Sequence, residues 1–260
     1  MNSVSFHPEG ECETAKRRME AMRRPPMWLA DWVPALMVHF RVAPRILQPQ
    51  VPLPLDLHDG AAWVSLVAFR MRNFRFRAGG RWTRWLTGPV AEHSFLNVRT
   101  YVRRDDEPGI FFLSEFLDCR LATLLGPRIY GLPYHYARND YRFDYRAGRM
   151  TAAVIRKNLH LAYEAAWNPQ QSFNAAPSGS PDAFLMERYT AYTRRGDVRR
   201  MFRICHDPWP QTRAAVTLGE TSLLEQTAPW FRRAEYAFAN YSPGVRDVRL
   251  SAPVRMEASP

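Results

Sequence analysis

Lysine is almost missing from this chain: of its 36 basic residues only Lys16 and Lys157 are lysine, and the rest are arginine. A guanidinium keeps its proton at any working pH, and imine chemistry needs a lysine amine, so a Schiff base has only those two positions open to it. Cysteine is scarce as well. Cys12, Cys119 and Cys205 are odd in number and far apart, which suits reduced thiols better than a disulfide framework. Arg or Asp interrupts every apolar run well short of about 18 residues, and the N-terminus lacks the apolar centre of a signal peptide, so a cytoplasmic protein without a transmembrane segment is expected. There is no Gly-rich loop closing on Gly-Lys-Ser/Thr, no Gly-x-Gly-x-x-Gly and no nucleophile elbow around a serine. These absences argue against nucleotide-dependent and α/β-hydrolase chemistry. Cys205-His206 has no second Cys/His pair to complete a metal site, so neither a metal nor an organic cofactor is expected.

What the chain does have is length, arginine and many short β-like runs. Its 260 residues, 46% of them hydrophobic, can bury a sizeable core. Residues 1–26 are polar and basic and end in Arg23-Arg24-Pro25-Pro26, which reads as a loose tail or a short basic helix over 11–24, lying outside the core. Residues 27–260 read as a single domain. Strand-like runs appear at Leu36–Phe40 and Ala61–Met71, the second launched by the turn His58-Asp59-Gly60; Phe95–Arg103 and Gly109–Phe116 flank a polar hairpin turn. Residues 118–130 carry a helical pattern stopped by Gly131-Leu132-Pro133. Strands resume at Tyr134–Tyr145, Arg149–Asn158 and His160–Ala166, and a short helical or extended segment is expected over Asp182–Tyr192. The 21 prolines favour short strands over long helices, and the runs up to Phe116 read as an antiparallel meander.

Candidate chemistry lies on strand faces. Alternation over Phe95–Arg103 puts Asn97, Arg99 and Tyr101 on one side, where a guanidinium flanked by an amide and a phenol can clamp a carboxylate or another oxyanion if the sheet closes and turns that face inward. On an open sheet the same face is merely solvated. His39, inside an apolar run, is either a hydrogen-bonded core histidine or a base. Glu115, Asp118 and Arg120 read most simply as an internal ion pair. The aromatic group Tyr130, Tyr134, Tyr136, Tyr141, Phe143 and Tyr145 fills a core or lines a cavity. The charge of +11, with the clusters Lys16-Arg17-Arg18, Arg23-Arg24 and Arg194-Arg195 beside Arg199-Arg200, raises association with nucleic acid or an anionic membrane, but no nucleic-acid motif accompanies it.

The segment Gly126-Pro127-Arg128-Ile129-Tyr130-Gly131-Leu132-Pro133-Tyr134-His135-Tyr136-Ala137 resembles the YqjF-like family of uncharacterised proteins, related to acetoacetate decarboxylase. Val38-His39-Phe40, Asp59–Met71, Leu96–Val102, Phe184–Tyr189, His206-Asp207-Pro208-Trp209-Pro210 and Tyr241–Val245 match in order, so the resemblance spans roughly residues 28–256. It implies an α+β fold in which a dominant antiparallel sheet closes into a barrel or cone with a few helices around a small-molecule pocket. In the decarboxylases a similar Gly-aromatic-Pro turn is followed by two lysines, one forming the imine and one depressing its pKa; here those places hold Tyr134 and His135. Without a lysine there an acetoacetate decarboxylase is not expected; the expectation in its place is a cofactor-free protein acting on an organic acid or carbonyl compound by acid–base chemistry, with Tyr134 and His135 as catalytic candidates and, from the strand faces, His39, Asn97, Arg99 and Tyr101 as binding candidates. A non-catalytic binding module and a basic surface for polyanions are the competing readings. A homo-oligomer is expected by analogy with the fold.

Overall fold

The computed structural model describes residues 8–22, 26–78 and 87–257. Helix α1 (Pro8–Glu20) comes first, then strand β1 (Trp28–Val42), the single turn α2 (Pro44–Leu47) and β2 (Ala62–Phe76). A hairpin of β3 (His93–Arg104) and β4 (Glu107–Leu117) leads into helix α3 (Arg120–Ile129). Strands β5 (Tyr134–Tyr136), β6 (Arg138–Asp144), β7 (Arg149–Arg156) and β8 (Leu159–Ala166) precede α4 (Pro181–Met186). The chain ends with β9 (Thr190–Arg195), β10 (Val198–Cys205), β11 (Thr212–Leu218), α5 (Ser222–Thr227), β12 (Ala234–Ser242), β13 (Val245–Leu250) and β14 (Val254–Arg255).

Strands β13, β10, β9, β4, β3, β2 and β1 follow one another around a closed barrel, sealed where the first part of β1 pairs with β13. Neighbours are antiparallel except β4 and β9, which run parallel, so the barrel is mixed rather than wholly antiparallel. The long excursion through β5–β8 and α4 between those two strands is what a parallel crossover needs. The second part of β1, still paired with β2, exchanges β13 for β12 on its other edge, and from β12 the strands β11, β8, β7 and β6 continue as a second layer. The fork depends on Gly244, in the turn between β12 and β13: its φ is +103°, and a Cβ there would collide with the Trp32 carbonyl oxygen and with Val33.

Each barrel strand sends alternate residues to two cores. Leu36, Val38, Leu66, Leu96 and Val98 point outward and meet Tyr141, Val154, Leu161 and Tyr241 of the second layer. Met37, Val67, Phe69, Phe95 and Phe112 fill the barrel. Two bulges shift this alternation by one residue. On β2 an extra residue stands between Arg72 and Arg75, which face Asp31 and Leu29, and Asn73 there has φ 53°; the inward set passes from Met71 to Phe74 and Phe76. On β4, Ser114 pairs with Val98 but Phe112 with Arg99, so the extra Leu113 turns the inward set from Phe112 to Glu115.

Three expectations change. The run Tyr134–Tyr145 is two strands: β5 joins β4 of the barrel, and β6, after the buried Ala137, joins the second layer. Helix α1 covers residues 8–20, not 11–24, and it is packed down rather than loose, because Cys12, Ala15 and Met19 share one helical face and are all buried. Arg23 to Pro25 lie outside the described residues. Finally, no Asp118–Arg120 ion pair forms among the described residues: the Asp118 carboxylate accepts the Ser94 backbone N–H at 2.9 Å, and the Arg120 guanidinium lies over the Tyr136 ring.

Candidate functional site

The barrel encloses a cavity of about 320 Å³ whose walls are mainly aromatic and aliphatic. Helix α4 stops one end of it. There the Leu185 carbonyl oxygen accepts from Arg99 Nη2 at 3.0 Å and from the Tyr101 hydroxyl at 2.9 Å. Above this floor Arg99, Asn97, Phe95 and His93 rise in order along the inward face of β3, and all four line the cavity. Glu115, Tyr134, Arg188 and His206 enter from other elements, with Trp32, Phe112 and Trp209 among the apolar walls. At the far end Leu121, Leu125 and Ile129 of α3 form part of the lining while remaining substantially exposed.

Two guanidiniums flank the Tyr101 ring, Arg188 at 5.3 Å and Arg99 at 5.9 Å, and both are buried. They differ in partners. Arg188 donates to Asp56 Oδ2 at 2.7 Å and to the Phe184 carbonyl oxygen at 2.6 Å. Arg99 has no carboxylate within ion-pair distance among the described residues: its other contact is the Met37 sulfur at 3.9 Å, and its Nε is buried without a partner. A buried charge is ordinarily paired, so Arg99 is the feature that asks for an anion.

Glu115 does not supply that charge at neutral pH. Burial pushes its carboxyl up to about 8, against smaller lowering effects from the Asn97 hydrogen bond and the Arg99 charge. Its Oε1 accepts from Asn97 Nδ2 at 2.9 Å, while Oε2 and Asn97 Oδ1 are buried with no partner. Burial and the neighbouring Glu115 hold the Tyr134 phenol well above its ordinary value, so it stays protonated. His206 is pushed down to about 4 by burial; its Nδ1–H donates to the Asp207 carbonyl oxygen at 2.8 Å, which leaves Nε2 as the unprotonated nitrogen. His93 is likewise lowered to about 4 by burial. The floor thus offers a cation, a neutral carboxyl and an amide oxygen within an apolar enclosure, where electrostatic contacts are strong.

Of the residues singled out from the sequence, the structure gathers Asn97, Arg99 and Tyr134 on the cavity. Tyr101 lies beneath its floor. His39 is fully buried in a hydrogen-bonded chain: Nδ1 meets Ser65 Oγ at 2.7 Å, Nε2 meets Asn240 Oδ1 at 3.1 Å, and Ser65 Oγ reaches the Tyr101 hydroxyl at 2.5 Å. Both ring nitrogens are therefore occupied, and burial lowers the imidazole to about 3. His135 points to the other side of β5, 5.5 Å from the Phe116 ring, so Tyr134 and His135 do not share the cavity. Of the aromatic group, Tyr130 and Tyr134 line it, Tyr141 belongs to the inter-sheet core, and Tyr136 and Tyr145 are exposed. Glu115, His93, Arg188 and His206 were not read as site residues. The motifs Phe184–Tyr189 and His206-Asp207-Pro208-Trp209-Pro210 contain Arg188 and His206, whereas the β4 bulge hides Glu115 from any strict alternation.

Neither lysine lies on the cavity. Lys16, on α1, pairs with Glu13 and Asp207, and Lys157 sits in the β7–β8 turn with φ 56°. No cluster of three or more His, Cys, Asp or Glu side chains able to hold a metal occurs among the described residues, and no helix among them is long and apolar enough to cross a membrane.

Residues 29–246 match the model of the DUF2071 family, described as an uncharacterized conserved protein. Over 183 residues the chain is 34% identical to the uncharacterized protein YqjF of Bacillus subtilis, covering 68% of this chain and 72% of that one. Its fold is similar to acetoacetate decarboxylase from Legionella pneumophila, with a TM-score of 0.63 at 13% identity over 99% of this chain and 98% of that one. It is also similar to the enduracididine biosynthesis enzyme MppR complexed with pyruvate, with a TM-score of 0.62 at 15% identity over 91% of this chain and 93% of that one.

Proposed function

The chain belongs to the DUF2071 family and has an acetoacetate decarboxylase-like barrel, and from these together with the cavity we propose that it binds an organic acid or carbonyl compound there and acts on it by acid–base chemistry without a cofactor. The carrying observation is the buried Arg99 guanidinium, which has no carboxylate partner among the described residues. Arg99 takes the anionic group or the oxygen on which charge develops. Glu115, with its pKa near 8, is matched to moving a proton close to neutral pH.

The simplest balanced step is enolisation. The ionised fraction of Glu115 takes the proton α to a carbonyl, the electron pair moves onto the carbonyl oxygen as an enolate stabilised by Arg99, and the Glu115 carboxyl returns the proton. The protonated Tyr134 phenol is a second donor. Tyr134 and His135 stand where the decarboxylases resembled by this sequence have lysines, and the cavity lining contains none; this supports a reaction that needs no imine.

Exchange of α-protons of 2-oxo acids with deuterium oxide, followed by proton NMR, tests the proposal. Exchange with the wild type that Glu115→Gln abolishes is the expected result. Binding without exchange leaves a non-catalytic binding module, and neither binding nor exchange removes the acid–carbonyl reading.

A further inference from the structure

We infer that the ligand of this cavity is an amphiphilic acid, with an ionised head at Arg99 and a bulky aryl or alkyl body along the barrel; the inference rests on the anion-binding reading above. Polar groups crowd one end. The cationic, amide and carboxyl groups of Arg99, Asn97 and Glu115 gather at the floor, and the orphaned Arg99 Nε, Asn97 Oδ1 and Glu115 Oε2 offer a donor, an acceptor and a carboxyl oxygen to a compact polar head. Beyond them β3 and β2 contribute Phe95, Phe69 and Met71, and past the Asn73 bulge Phe74 and Phe76. At a strand rise of about 3.3 Å per residue, the line from Arg99 to His93 covers on the order of 20 Å.

Size points the same way. A cavity of about 320 Å³ falls within the range of about 300–1,000 Å³ typical of sites for drug-sized ligands. An acid as small as pyruvate would occupy a minor part of it and leave aromatic walls facing water, which is unfavourable. The apolar lining also reaches the outside: Leu121, Leu125 and Ile129 are 42%, 40% and 41% exposed yet still border the cavity. Apolar side chains exposed as a group mark a binding surface, and here the group is continuous with the interior, so the body of the ligand can run out along α3.

The test uses the wild-type protein and isothermal titration at pH 7 with straight-chain 2-oxo acids lengthened from pyruvate, with phenylpyruvate, and with the primary amide of each. The expected result is a Kd that falls about fourfold per added methylene, a heat-capacity change that grows more negative with length, and amides at least about tenfold weaker than acids. Equal affinity across the acids overturns the apolar body while the anion-binding reading stands. Length dependence with amides matching acids overturns the acidic head, and with it that reading. Silence from every compound overturns both.

Discussion

Asn97 Nδ2 donates to Glu115 Oε1 at 2.9 Å across the β3–β4 pair, and this contact holds the Glu115 carboxyl inside the barrel, above the Arg99 floor. Since the Glu115 pKa is raised to about 8, the folded protein favours its protonated form. The resulting contribution to stability is complete below the unfolded value near 4.5 and is lost as pH rises through about 8. Glu115→Gln keeps an acceptor for Asn97 and removes the titration. Urea unfolding should find the variant close to wild type at pH 5 and more stable at pH 9, by on the order of a few kcal/mol. Anion binding to the wild type should weaken over the same rise, as Glu115 becomes charged beside the ligand, and should stay flat in the variant.

Arg99→Met should separate function from stability. A buried guanidinium without a carboxylate costs desolvation that an apolar side chain of similar length avoids, and Met37 and Phe112 already provide apolar surroundings. The variant should be as stable as wild type or more so, by about 1–2 kcal/mol, while the thermal shift produced by acids disappears. Loss of stability by more than about 1 kcal/mol would show that Arg99 is needed for packing rather than for an anion.

Asp56 gives the opposite expectation. Its carboxylate receives Arg188 at 2.7 Å and Arg103 at 3.1 Å, and the Arg188 side chain is 5% exposed. Asp56→Ala strands that charge, which should cost about 3–5 kcal/mol, measured as the shift in the urea midpoint at unchanged slope.

Three buried histidines govern the acid limb. His39 is lowered to about 3, and His93 and His206 to about 4, all chiefly by burial. Each is neutral when folded and takes a proton on unfolding below about 6.5, so stability is lost as pH falls from there through 4 and 3. With all three contributing, the slope near pH 5 approaches about 4 kcal/mol per pH unit, against which the single Glu115 proton acts with opposite sign. The two effects cancel where the three unfolded histidines together hold about one proton, so stability should peak near pH 7. His93→Phe, at a ring tilted by 43° with its centroid 4.6 Å from that of Phe95, should shallow the acid limb by about one proton.

Much of this site follows from period-two reading, and what does not has a local cause. Alternation over β3 assigns Asn97, Arg99 and Tyr101 to one face, and barrel closure turns that face inward. Closure itself is a long-range fact: the β1–β13 pairing joins residues at opposite ends of the chain, which no local pattern reveals. Glu115 escapes strict alternation because Leu113 shifts the parity of β4, and His135 does not join Tyr134 on the cavity because neighbours in sequence stand on opposite faces of a strand. The ion pair expected among Glu115, Asp118 and Arg120 does not form because β4 ends at Leu117 and Arg120 opens α3, so same-side spacing along a strand no longer applies there.

Gly126 on α3 is where the helix and the site constrain one another. A Cβ added there would collide with the Tyr134 ring, so the glycine lets that ring lie against the helix and line the cavity. Gly126→Ala gains about 1 kcal/mol of helix propensity but must displace an aromatic ring, an overpacking cost of about 1–3 kcal/mol. The single variant should be neutral to destabilising, with weaker ligand binding as the ring moves. In a Tyr134→Ala background the obstacle is gone, and the same substitution should stabilise by about 1 kcal/mol. A double-mutant cycle therefore expects a coupling of about 1–3 kcal/mol between the two positions. Additive effects within about 0.5 kcal/mol would mean that Tyr134 does not depend on Gly126 for its place in the cavity.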